Sequence, residues 1–241
     1  MPSADPPAPA NRTGPDLADS YRAFRHPLVV LATTTFVAGF LDAFAYLRYG
    51  AFVANQSSNV VFLGIGPAGG HPAWPTAAAS LVAFALAAGL TARLRAVRSR
   101  WSPVSRGLTA AVATAALWAV LNVLFQYGRS SPQLRALLAA IGGFAMGALA
   151  TLFVRTAGIS TTITYQSGTV AKTGERVVRW LAGPRADRSR ARRASLLGVL
   201  TLAGYAVGGG IGTLAQQRPL WVPTWAAFAL LTVAPMIRHR S

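Results

Sequence analysis

The 241-residue chain contains no cysteine, which excludes disulfide frameworks, thiolate catalysis and Cys-based zinc or iron–sulfur sites. Histidine is almost as scarce. His26, His71 and His239 stand far apart in sequence, and none has metal-ligand spacing. Gly-x-Ser-x-Gly, His-Glu-x-x-His and phosphate-loop patterns are missing as well, so no enzyme, cofactor or metal site is expected. Acidic residues number six against 23 Lys and Arg. Charged residues of both signs make up only 12% of the chain, where soluble domains carry roughly 25%. Too little charge remains to solvate a globular surface.

What is present is apolar: 53% of the residues are hydrophobic and the mean hydropathy is +0.41, which makes lipid the natural solvent and a bilayer the first partner. A net charge of +17 and a pI near 11.8 would also suit a nucleic-acid binder. The placement of the cations argues otherwise.

Six segments are long and apolar enough to approach the ~20 residues that cross a bilayer: Leu28–Leu47, Pro75–Ala92, Gly107–Tyr127, Ala136–Val154, Ala194–Ala215 and Leu220–Ile237. Helices satisfy their own backbone groups in lipid, and the alternation of an outer-membrane barrel is absent, so an all-α integral membrane protein is expected. With the N-terminus inside, 19 of the 23 Lys and Arg fall on the cytoplasmic side, leaving Arg48, Arg129, Arg135 and Arg218 outside. That bias predicts a bacterial inner-membrane protein with both termini cytoplasmic and no role for nucleic acid. Residues 1–27, rich in proline and short of apolar side chains, read as a disordered cytoplasmic tail without the apolar core of a signal peptide. The basic stretch 172–193 reads as a cytoplasmic loop. It either determines topology, binds anionic lipid or docks a macromolecule.

Two stretches fit neither span nor loop: Ala51–Gly66 (AFVANQSSNVVFLGIG) and Thr156–Ala171 (TAGISTTITYQSGTVA). An offset of 110 superposes Gln56-Ser57 on Gln166-Ser167 and Val60 on Val170. Upstream, Phe36-Val37-Ala38-Gly39 lies over Phe144-Ala145-Met146-Gly147 at 108, and downstream Leu81–Ala85 lies over Leu202–Ala206 at 121. Both halves, 28–127 and 128–241, thus keep the order span, motif, span, span. A duplicated unit with three spans inserts its second copy upside down, which predicts two inverted repeats, each with a re-entrant or broken-helix polar motif.

The run Gly39-Phe40-Leu41-Asp42-Ala43, followed by Phe52-Val53-Ala54-Asn55 and Asn59, resembles the YoaK-type family of small bacterial inner-membrane proteins of uncharacterised function. The resemblance covers about Phe36 to Met236 and implies a six-span, transport-related protein without naming a substrate. Family members typically read Met-Thr-Gly-Asn where this chain has Gln56-Ser57-Ser58-Asn59; the second copy keeps Ser167-Gly168-Thr169.

Asp42 is the one acid inside an expected span, and burying its charge costs at least about 2.5 kcal/mol unless it is paired, protonated or hydrated. It is either a proton- or cation-coupling group or a structural carboxylate that reaches headgroup water or Arg48. Asn55, Gln56, Ser57 and Asn59, with Gln166, Ser167 and Thr169 of the second copy, either line a site for a small polar neutral or cationic solute or hold a helix break together. Asn122 and Gln126 share a face with Trp118 and suit interhelical hydrogen bonds, while the Gly143/Gly147 and Gly204/Gly208/Gly212 spacings suit close helix packing. Two functions follow as expectations: a small-solute transporter or permease-like protein, or a noncatalytic membrane scaffold or lipid-interacting protein. A homo-oligomer is compatible with either.

Overall fold

A computed structural model of the chain describes residues 24–97, 103–125, 131–151, 155–156, 159–160, 166–217 and 222–237. Residues 1–23 of the expected tail, Gln126 and residues 157–158 and 161–165 of the second motif lie outside these; residues 24–27, expected to belong to that tail, are ordered instead, with Phe24 buried and Pro27 opening α1. The described residues form eight α-helices: α1 Pro27–Tyr49, α2 Gln56–Ile65, α3 Trp74–Ala96, α4 Pro103–Leu124, α5 Pro132–Ala150, α6 Gln166–Ala182, α7 Arg185–Leu214 and α8 Val222–Leu231. Two-residue strands, Arg155–Thr156 and Ile159–Ser160, pair antiparallel ahead of α6. Proline opens α1, α3 and α5, where its missing N–H has no intrahelical partner to lose. Gly50 ends α1 in the left-handed region at φ 75, which glycine adopts without steric cost.

Among the described residues, five helices are long and apolar enough to cross a membrane: α1, α3, α4, α5 and α7. The sixth expected span, Leu220–Ile237, differs. Its α-helix covers only Val222–Leu231, and a 3₁₀ turn follows at Ala234–Met236. Pro235 cannot donate to a continuing helical ladder, which accounts for the break. The expected basic loop 172–193 is also different, for it is helical. It comprises most of α6 and the start of α7, joined through Gly183 and Pro184. The face of α6 bearing Thr169 and Thr173 packs on α7, with Thr173 against Gly198, and this burial turns a charged stretch into a helical hairpin.

The packing exchanges partners between the halves. α1 lies along α7 and α3 along α5; α2 packs on α3 and α6 on α7; α4 packs on α5 and α1 on α8. Every one of these pairs maps onto another when α1 to α4 are exchanged for α5 to α8. Individual residues obey the same exchange. A Cβ on Gly39 would stand 2.0 Å from the Tyr205 carbonyl oxygen, and one on Gly147 would stand 2.3 Å from that of Phe84. Gly39 and Gly147, and Phe84 and Tyr205, are the residues that the sequence offsets superpose. The glycine spacings therefore do what they suggest: Gly143 and Gly147 meet the backbone of Ser80 and Phe84, Gly208 and Gly212 that of Phe36 and Phe40, and Gly204 the Thr35 hydroxyl.

The core runs through Leu41, Phe44, Tyr49, Trp118, Leu138 and Met146. Tyr49 donates to Asn122 Oδ1, and Asn122 Nδ2 donates 2.7 Å to the Trp118 carbonyl, so the interhelical role expected of Asn122 holds. Outward faces expose Val82, Leu86, Val120, Val199 and Val207, as lipid contact requires. Phe24 forms an antiparallel bridge with Ile237, which brings the entrance of α1 beside the end of the α8 segment.

Candidate functional site

The first motif turns back into the bundle. The chain leaves α1 at Gly50 and returns at His71, whose Nε2 lies 2.8 Å from the Gly50 carbonyl oxygen. Between these points it runs back along α1 to the level of Asp42, eight residues and therefore about 12 Å below Gly50 at helical rise, before α2 climbs out.

Asp42, buried to 2% exposure, holds the bottom of this excursion. Its Oδ1 accepts from the amides of Val53 at 2.8 Å and Ala54 at 2.6 Å, and its Oδ2 accepts from the amide of Asn55 at 2.9 Å and from the Tyr205 hydroxyl. The first N–H groups of a helix lack intrahelical partners and carry partial positive charge. Asn55, at the N-cap of α2, makes no side-chain cap bond; Asp42 serves the approach to that helix from α1 instead. Arg48, one candidate partner for Asp42 by sequence, bonds the Gln216 side chain at 2.6 Å and its carbonyl at 3.0 Å. Neutral donors thus surround the carboxylate.

The neighbouring polar side chains are directed at their own backbone. Asn59 accepts from the Phe52 amide at 3.0 Å and donates 2.7 Å to the Phe52 carbonyl, while its amide also donates 2.7 Å to Gln56 Oε1. Gln56 Nε2 donates 2.9 Å to the Val53 carbonyl, and the Ser80 hydroxyl of α3 donates 2.7 Å to the Phe52 carbonyl. Ser57, exposed, donates 2.7 Å to Asn55 Oδ1. Asp42, Asn55, Gln56, Ser57 and Asn59 therefore meet as one constellation. Gln166, Ser167 and Thr169 open α6, which packs along α7 rather than on α2.

Two members of the constellation escape a reading of the sequence: Tyr205 and Ser80. A signal for Tyr205 existed. The offset of 121 sets it over Phe84 just as the offset of 108 sets Asp42 over Ala150. The α1–α7 crossing thus carries a carboxylate and a phenol where the equivalent α5–α3 crossing carries two apolar residues.

The partner exchange groups α1, α6, α7 and α8 on one side and α2 to α5 on the other. Asp42 and Tyr205 stand on the first group, whereas the amides that Asp42 holds lead into α2 of the second. The carboxylate is therefore a tie between the groups. Among the described residues no cluster of three or more His, Asp or Glu suits a metal ion. An apolar groove of about 320 Å³ lies elsewhere, between α4 and α8, lined by Ala116, Val120, Val123, Thr224, Phe228 and Leu231 among others.

Five helices of spanning length, exposed aliphatic faces and a backbone excursion buried within protein define a multi-pass helical membrane protein. The chain belongs to the family described as "Protein of unknown function (DUF1275)", whose model matches residues 30–237. No curated protein and no solved structure matches it.

Proposed function

We propose that the chain crosses the bacterial inner membrane six times as two inverted three-span halves and works as a small-solute transporter or permease-like protein. The observation that carries this reading is the exchange of partners, α1 on α7 and α3 on α5, with aligned glycines on aligned carbonyls. Inverted repeats with broken helices are a common architecture of secondary transporters. The Phe24–Ile237 bridge supports an even number of crossings, because the chain comes back to its starting side. Five long helices and the shorter α8 segment then make six. The arginine distribution supports a cytoplasmic location of both termini, and the YoaK-type resemblance agrees with this topology.

Alternating access in such a fold rocks one helix group against the other, which here requires release of the bonds at Asp42. A proton or cation at this carboxylate weakens its hold on the Val53–Asn55 amides, and this provides the coupling step. A polar neutral or cationic solute then meets hydrogen-bonding groups from Asn55, Gln56, Ser57 and Asn59 in one half and Gln166, Ser167 and Thr169 in the other. The reading involves no chemical conversion and no cofactor.

Proteoliposomes filled in turn with glycerol, urea, neutral sugars and tetramethylammonium test it by stopped-flow light scattering. Solute-selective flux above protein-free vesicles is expected, with a pH dependence flattened by Asp42→Asn and a rate lowered by Gln166→Leu. Flux equal to that of protein-free vesicles for every solute overturns the transporter reading. The reading that then leads is a noncatalytic membrane scaffold, favoured by one observation: the first motif directs its polar side chains at its own backbone.

A further inference from the structure

We infer that the outer face at the start of α7 is a binding site for the phosphate of an anionic phospholipid. Along that face Arg185, Arg192 and Arg193 recur at helical spacing, and one turn later the same stripe becomes Leu196 and Val199, 54% and 50% exposed. From Arg193 to Leu196 the rise is about 4.5 Å. A lipid whose acyl chain lies along Leu196 and Val199 thus brings its phosphate to the two guanidinium groups, which match phosphate oxygens in geometry as well as charge.

The hairpin partner reinforces the site. Trp180 of α6 lies under the Arg192 guanidinium at 5.9 Å, which holds that side chain and supplies an indole at interfacial depth. The exposed face of α6 is itself apolar beside a cationic edge: Val170, Val178 and Leu181 are open, next to Lys172 and Arg179. This is the pattern of a helix lying against a membrane surface. Acids are few. Glu175 already bonds Arg179, and Asp187 is the other acid of the hairpin. The corresponding hairpin of α2 and α3 has no charge from residue 49 to residue 92, so the site belongs to the second half alone.

Native mass spectrometry of the full chain, released from detergent with equimolar dioleoyl phosphatidylglycerol and phosphatidylcholine, tests the assignment. Preferential retention of phosphatidylglycerol is expected. Each juxtamembrane cation contributes roughly a factor of five, so Arg192→Gln/Arg193→Gln together should weaken retention about 25-fold. Arg135→Gln, at the start of α5, should leave it unchanged. Equal retention of both lipids by the unaltered protein overturns the inference whether or not the double variant folds. So does an equal loss with Arg135→Gln. Competition by millimolar inorganic phosphate that abolishes lipid preference would mean a free-anion site and would overturn it too.

Discussion

The Tyr205 hydroxyl bonds Asp42 Oδ2 across the α1–α7 contact, and at the aligned positions of the α3–α5 contact stand Phe84 and Ala150. A polar pair at the α1–α7 crossing thus answers an apolar pair at the α3–α5 crossing. The two residues of the polar pair act as a unit, because each removes the other's unsatisfied burial.

Asp42→Asn keeps the size of the side chain but turns one acceptor into a donor facing donors. Loss of an acceptor from a buried charge-assisted network costs about 1–3 kcal/mol or more, so thermal unfolding in detergent should begin several degrees lower. Read from sequence, this substitution should impair coupling more than folding. The four donors around the carboxylate make it a stability variant as well, and an unchanged unfolding temperature would contradict that role.

Tyr205→Phe removes one donor and leaves three. Its cost should be smaller than that of Asp42→Asn, about 1–2 kcal/mol. In a double-mutant cycle the two changes should be non-additive by about 0.5 kcal/mol or more, since both report on one bond. Strict additivity of the unfolding free energies would separate the two residues.

Gly39→Ala and Gly147→Ala should each destabilise the bundle, because the added Cβ would stand 2.0 and 2.3 Å from a carbonyl oxygen of the facing helix. Overpacking of this kind costs about 1–3 kcal/mol. Gly89→Ala and Gly210→Ala are the controls, for nothing lies within 4 Å of either added carbon. They should be neutral or stabilising by up to about 1 kcal/mol through helix propensity. Fluorescence-detected unfolding of the four variants in one detergent decides the matter.

A cysteine-free chain permits a clean test of orientation. With single cysteines at Ser131 and Ser189, a membrane-impermeant thiol reagent applied to intact cells should label position 131 at the start of α5 and spare position 189 near the start of α7. Labelling at 189 would reverse the proposed sidedness of the basic hairpin.

Composition and local pattern determine the class of this protein and much of its architecture. Low charge and long apolar runs require lipid, proline and glycine mark several helix ends, and α2 and α6 begin at the aligned glutamines, Gln56 and Gln166. Repeat offsets are likewise local comparisons, and they identify the residues that later meet at the helix crossings. Tertiary structure decides what such comparisons cannot contain. The hydrogen bond between Asp42 and Tyr205 joins residues 163 apart in sequence, and hydropathy assigns no partner to a buried carboxylate. The basic stretch 172–193 reads as a loop because its charge hides the one face that matters. The packing on α7 of the α6 face that bears Thr169 and Thr173 supplies the burial that stabilises it as a helix.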